Sequence, residues 1–185
     1  FGPLLDCLEV GTAFRGVHMT FTNSFVMRRV GLESEAAVQE VLDAAPGYHL
    51  RTEGVSTVAG GAHGALTALP PNTSIEQKHT LVLQVDGRAV GFADVIRGFP
   101  DSETAYLGLL LFRESEQGKG WGQIFYRKIE DLALREWGCH RIRLSVVESN
   151  PVAPFWEKMG FRFTGDSKPH EGLALSSVKQ VMEKK

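Results

Sequence analysis

The chain has 185 residues, 43% hydrophobic and 23% charged, with a formal net charge of −2. That length suits one domain with a sizeable core, and the near-neutral balance offers no electrostatic footprint for DNA or RNA. The longest apolar run, Ala105–Phe112, has eight residues, against the ~20 that a membrane-spanning helix needs. Neither nucleic acid nor membrane is therefore expected as a partner.

Residues 1–24 show no clear periodicity and read as an N-terminal extension, in part added sequence, with Met19 and Met27 as candidate natural starts. No basic region followed by a long apolar stretch marks a secretory leader. Cys7 and Cys139 lack metal or redox spacing. No metal site or disulfide framework is expected, and a reducing cytoplasm is the default. Cys139 reads as a small buried apolar residue.

Residues 25–185 read as one α/β domain. Phe25–Val30 has the composition of a first strand. Ser34 is placed to cap a helix whose apolar positions Ala37, Val38, Val41, Leu42 and Ala45 recur at helical spacing. Pro46-Gly47 is expected to end it. Residues 47–77 are rich in glycine and proline, with one short helix expected around Ala65–Leu69; so long a loop region is usually functional.

Regularity returns at His79–Val85. Asp86-Gly87 is a two-residue hairpin signal, and Ala89–Arg97 is the partner strand. Pro100-Asp101 turns the chain into a third strand, Thr104–Phe112. A helix is predicted from about Trp121 to Trp137, with Ile124, Phe125, Ile129, Leu132, Ala133 and Trp137 facing inward and Gly138 as its stop. Arg141–Val147 is a strand, so residues 104–147 form a strand–helix–strand unit with a parallel pair. A short helix starts at Pro151 or Val152, and Phe161–Thr164 and Ala174–Met182 read as late strands.

Between the third strand and the long helix lies EQGKGWGQ, residues 116–123. Amides at a helix start lack intrahelical partners and meet the positive end of the helix dipole. Glycines let the backbone approach an anion closely, and Lys119 adds a positive charge. A phosphate or pyrophosphate suits such a loop. A nucleoside-triphosphate loop requires Ser or Thr after its lysine, where Gly120 stands. A dinucleotide fingerprint requires glycine at position 123, where Gln123 stands. What remains is Q-x-x-G-x-G, from Gln117 through Gly120 to Gly122.

A second segment, NPVAPFWEKMGF (Asn150–Phe161), begins at the end of the next strand. A parallel strand pair brings such segments together at its carboxyl end. With these two segments and the strand order around them, the chain resembles the GNAT superfamily of acyl-CoA-dependent N-acetyltransferases over residues 25–182. The resemblance implies a mixed, mainly antiparallel twisted sheet of about seven strands, helices on both faces, and a splayed parallel pair at the coenzyme site. It implies acetyl-CoA as co-substrate, no metal, and a small-molecule or peptide amine as acceptor, with a homodimer as a candidate assembly.

Residue by residue, the resemblance implies that Gln117, Gly118, Lys119, Gly120, Trp121, Gly122 and Gln123 hold the coenzyme pyrophosphate through backbone N–H groups. The backbone of Leu110, Leu111 and Phe112 would pair with the pantetheine arm, beside a strand bulge that opens a wedge for it. A backbone N–H near Leu110 would stabilise the thioester oxyanion. Asn150 would bond the arm, and Phe155 and Trp156 would line its thiol end. The chain departs from the family pattern twice. Asn150 to Gly160 is ten residues, one fewer than usual. Trp156 stands where a tyrosine commonly protonates the departing thiolate. Indole donates a hydrogen bond but is no ordinary acid, which leaves that role to water or another hydroxyl.

An amine must lose a proton before it attacks. Tyr106 is the first candidate base, expected on the same strand face as Gly108 and Leu110. Glu103, Asp94, Glu148, Tyr48 and His170 are further candidates, with His170 expected exposed in a late loop. Arg141 and Arg143 are expected on one salt-bridged face. No cysteine is placed to carry an acyl group, so direct transfer is expected. The rival expectation is a non-catalytic module that binds or senses acyl-CoA.

Overall fold

A computed structural model describes residues 25–185; the expected N-terminal extension, Met19 and Cys7 lie outside the described residues. One seven-stranded sheet runs through the molecule in the order β1-β2-β3-β4-β5-β7-β6. The strands are β1 Phe25–Val30, β2 Lys78–Val85, β3 Arg88–Arg97, β4 Thr104–Phe112, β5 Arg141–Val147, β6 Arg162–Glu171 and β7 Ser176–Lys184. Among the described residues only β4 and β5 pair in parallel; the other neighbours are antiparallel. Asp86 (φ 49°) and Gly87 (φ 78°) are both left-handed, which suits the tight turn that joins β2 to β3 without splaying them.

Helices cover both faces. On one face α1 (Glu35–Asp43) and α3 (Gly61–Thr67) set Val38, Val41, Leu42 and Leu66 against Val82, Phe92 and Leu111. On the other, α4 (Trp121–Asp131) and α5 (Ala153–Lys158) set Phe125, Ile129 and Trp156 against Leu83, Val95, Leu107, Leu144 and Met182. Cys139 is fully buried in this second core, and burial pushes its thiol up.

Several boundaries differ from the sequence expectation. Pro46 does more than close α1. It occupies the first turn of a further helix, α2 (Pro46–Thr52), where its fixed φ suits helix initiation. The glycine-rich region therefore holds two short helices. The second, α3, lies earlier than Ala65–Leu69: it ends at Thr67, with Ala68 already extended ahead of Leu69, which Pro70 disfavours from helical geometry. Ser34 precedes α1 but makes no side-chain cap.

The α4 stripe also shifts. Ile124 is 37% exposed, whereas Phe125, Tyr126, Ile129 and Glu130 are buried. Tyr126 (2.9 Å) and Lys184 of β7 both donate to Glu130 Oε1, and Arg127 donates to Oε2 (2.8 Å). A polar cluster thus occupies a face that an apolar count leaves out. A π-turn at Leu132–Glu136 then advances the phase, burying Leu132 and Ala133 and setting Trp137 4.2 Å from the His79 ring. The late strands are longer than expected. β6 is an exposed edge of polar composition with little alternation to mark it, and Pro169 is tolerated there for that reason.

Candidate functional site

β4 and β5 pair from Thr104–Arg141 only as far as Leu107–Leu144. Beyond Leu107, the β5-facing edge of β4 has no strand partner among the described residues. The cause is a bulge. On β3, Asp94 pairs with Leu109 and Val95 with Leu107, so Gly108 is an extra residue in β4. Such an insertion bends the bulged strand, and here the bend coincides with the opening. The free edge of Leu110, Leu111 and Phe112 lines the resulting wedge.

The bulge also reverses the side-chain alternation. Ala105 and Leu107 face the α4–α5 core, and after Gly108 so do Leu110 and Phe112, while Leu109 and Leu111 face α1 and α3. Tyr106 therefore does not share a face with Leu110, contrary to the simple count. It lies on the α1–α3 face, as Leu109 and Leu111 do.

The glycine-rich loop leads from β4 into α4. Gln117 does not reach outward; its Nε2 donates to Phe112 O (3.1 Å) and ties the loop to the end of β4. Gly118 (φ 75°) and Gly120 (φ 86°) are left-handed, yet a Cβ at either would meet nothing within 4 Å. Glycine is required there for backbone conformation, not for space. Gln123 and Ile124 donate to Gly120 O (3.2 and 3.3 Å), and no side chain caps the amides before them. The first-turn N–H groups thus remain available at the positive end of α4. This backbone fits a pyrophosphate. The Trp121 indole turns away from the loop and packs on Phe25 at 6.0 Å. Lys119 is paired with Glu116 (3.0 Å) and remains half exposed.

Across the wedge, Phe155 of α5 lies 3.4 Å from where a Cβ on Gly122 would stand. Trp156 is 7% exposed and meets Tyr126, Phe155 and Phe161 edge-on at 5.5, 4.8 and 5.4 Å. Its place is in the core. Asn150 Oδ1 accepts from Arg51 Nε (2.9 Å), and Ser149 Oγ donates to Arg51 O (2.6 Å). The end of α2 is thereby fastened over the β5–α5 turn.

The candidate proton-transfer groups separate clearly. Tyr106 Oη and Ser145 Oγ are 2.8 Å apart, linking β4 to β5 where they begin to part. Glu103 is 61% exposed, lies 3.6 Å from Arg141, and sits five residues before Gly108 at the closed end of the pair. About 16 Å of strand separates them. Tyr48 is half-buried, and desolvation pushes its phenol up. His170 is not in an exposed loop. It is buried on β6 and its Nε2 donates to Thr52 O (2.7 Å), securing α2. Glu148 is exposed, its N–H bonded to Val178 O. Arg141 pairs with Asp101, and Arg143 with Glu183 at 2.6 Å.

Asp94 differs from these. Its Oδ1 accepts from Lys78 Nζ at 2.7 Å, with 2% of the lysine side chain and 18% of the aspartate side chain exposed. Burial pushes the Asp94 carboxyl up, against the opposing pull of Lys78. Among the described residues no group of His, Cys, Asp and Glu could hold a metal ion, and no helix is long and apolar enough to cross a membrane. Lys78, Ser145 and Arg51 escape sequence reading. The only signals are a lysine opening an apolar strand and a serine interrupting one.

A bulged β4, splayed from its parallel neighbour, thus presents an open strand edge beside the uncapped glycine-rich start of α4. Residues 37–161 match the model of the acetyltransferase (GNAT) family. The chain belongs to the GNAT acetyltransferase family. It resembles in fold an acetyltransferase from Thermus thermophilus, with TM-score 0.65, 24% identity, and 85% of this chain and 95% of that one covered. It also resembles the PaiA N-acetyltransferase from Thermoplasma acidophilum in complex with coenzyme A, with TM-score 0.60, 19% identity, and 88% and 99% covered. The Escherichia coli ribosomal-protein-S18-alanine N-acetyltransferase gives TM-score 0.64 and 14% identity, with 86% and 92% covered. No curated protein matches the chain in sequence.

Proposed function

We propose that this protein transfers an acetyl group from acetyl-CoA directly to an amine. The observation that carries the reading is the wedge: β4 loses its parallel partner past Leu107, and the glycine-rich start of α4 lies at the same end. The pantetheine arm would add to the free edge of Leu110–Phe112 as a strand does, and the amides of Gly118–Gly122 would hold the pyrophosphate. Acetyl-CoA bound this way supplies the activated acyl group. A main-chain N–H near Leu110 would stabilise the oxyanion.

The departing thiolate resembles that of cysteine, with an ordinary pKa of about 8.5. Trp156 is buried and carries no acid. The Tyr106–Ser145 hydroxyl pair, at the mouth of the wedge, supplies the proton in its place. A coenzyme-sensing module is the second reading, favoured by the tryptophan at position 156. The two part on one experiment: incubation with isotopically labelled acetyl-CoA and a panel of amines, followed by mass spectrometry. Labelled N-acetyl product supports the transferase. Coenzyme binding without labelled product from any amine supports the sensor.

A further inference from the structure

Resting on that reading, we propose that Asp94 is the group that receives the acceptor's ammonium and takes its proton, with Lys78 holding it in place. The two carboxylate oxygens have different surroundings. Oδ1 is bonded to Lys78 Nζ at 2.7 Å, and Lys78 Nζ also donates to Ala68 O (3.0 Å) at the end of α3. Oδ2 has no hydrogen-bond partner among the described residues. It lies 3.2 Å from where a Cβ on Gly108 would stand. Gly108 is the bulge residue and is exposed, so the missing side chain leaves Oδ2 open at the wedge.

A half-buried carboxylate oxygen with one vacant side is costly unless a donor meets it. A cationic amine is such a donor. Lys78 is almost fully buried and cannot swing away to serve Oδ2. Asp94 and Tyr106 share the α1–α3 face of the sheet, opposite the core that receives Leu110. The acceptor would thus approach from the α1–α3 side and the coenzyme from the open edge of β4. Burial raises the Asp94 carboxyl, which makes it a better proton acceptor than a solvated aspartate.

The ammonium gives one proton to Asp94 Oδ2. The freed nitrogen lone pair forms the C–N bond at the thioester carbonyl, and the C–S electron pair leaves on sulfur. The second amine proton reaches the thiolate through Ser145 and Tyr106, which end as they began, giving the free thiol, and Asp94 then releases its proton to water. Tyr106 and Ser145 serve the sulfur side, so the base and the acid stand on neighbouring strands.

The test uses the protein bound to coenzyme A, with n-butylamine and tyramine as probes, read by amide chemical shifts and by acetyl transfer. The wild type is expected to bind both probes with shifts at Gly108 and Leu109. Asp94→Asn keeps the hydrogen-bonding shape toward Lys78 but removes the charge; it should weaken probe binding at least tenfold and lower kcat/KM about a hundredfold or more. Methoxyamine, neutral at assay pH, should lose much less. Gly108→Ala should reproduce the defect by covering Oδ2. Coenzyme A affinity reports folding and should not change in Asp94→Asn. If no probe binds the wild type at Gly108, or Asp94→Asn binds and transfers normally, the inference is overturned while the transferase reading stands. If the probes bind as expected but no amine is acetylated, the transferase reading fails and the ammonium site remains.

Discussion

Tyr106 Oη and Ser145 Oγ stand 2.8 Å apart, joining β4 to β5 at the point where their backbones stop pairing. Two hydroxyls there can pass a proton across the wedge without a formal charge on either at rest. Tyr106→Phe and Ser145→Ala should each lower turnover, Tyr106→Phe by roughly a hundredfold and Ser145→Ala by less, since water can take its place. The double variant should cost little more than Tyr106→Phe, because both act in one path. Steady-state kinetics with coenzyme A affinity measured alongside checks this; a change in affinity instead of turnover would show a structural role.

Glycine at 120 serves backbone conformation, with open space where a Cβ would go. Gly120→Val places a β-branched residue at φ 86°, a penalty of about 1–2 kcal/mol. The local amides should turn and coenzyme affinity should fall at least tenfold. Gly60→Ala, also left-handed and open but remote from the loop, should lose similar stability and keep its affinity. Calorimetric titration of coenzyme A into both variants separates the two effects.

Gly172 and Gly54 let the β6–β7 turn press against the end of α2. A Cβ on Gly172 would lie 2.6 Å from Thr52 O, and one on Gly54 would lie 2.7 Å from Ala174 C. The same contact carries the His170–Thr52 and Ala174–Glu53 hydrogen bonds. Gly172→Ala should push the turn away at a cost of about 1–3 kcal/mol. Thermal unfolding should show the loss, and native-state hydrogen exchange should show it concentrated at the end of α2 and the β6–β7 turn; unchanged stability would refute the close contact.

His79 stacks on Trp137, its Nε2 buried without a partner among the described residues. Burial, with Arg29 and Arg97 nearby, pushes its pKa from 6.5 down to about 4. Between those values the unfolded chain binds the proton and the folded protein does not. The histidine's contribution is therefore present above pH 6.5 and is lost as pH falls toward 4. His79→Phe keeps the ring stack and removes the titration. Urea midpoints measured from about pH 7 to about pH 4 should fall more steeply for the wild type than for this variant; parallel curves would refute the assignment.

Much of the fold is legible where a local signal decides the structure. Asp86-Gly87 marks its hairpin, and the apolar positions of α1 give its buried face. The loop at 116–123 reads as a phosphate-binding turn from its spacing, and coenzyme A enters only with the resemblance that Asn150–Phe161 completes. What stays hidden depends on register. Ala105–Phe112 is apolar on both faces, so nothing in it marks Gly108 as the residue that reverses alternation. The turn pairs Val85 with Arg88, and an unbroken ladder would set Thr80 opposite Ala93; an irregularity at Leu83/Gln84 moves it to Asp94. That slip lets the diagonal Lys78–Asp94 pair form. Ile124 turns outward because the buried stripe of α4 includes the polar Tyr126–Glu130–Lys184 cluster, which joins the helix to the last strand and has no local signature.

The proposed function stands or falls on coenzyme A being held jointly by the free edge of β4 and the start of α4. Titrating coenzyme A into isotopically labelled protein while following amide shifts reports on both elements at once. Saturable shifts are expected to concentrate at Leu110–Phe112 and Gly118–Gly122, and to be lost at the loop in Gly120→Val. Saturable binding that leaves those amides unmoved and shifts others would contradict the proposal.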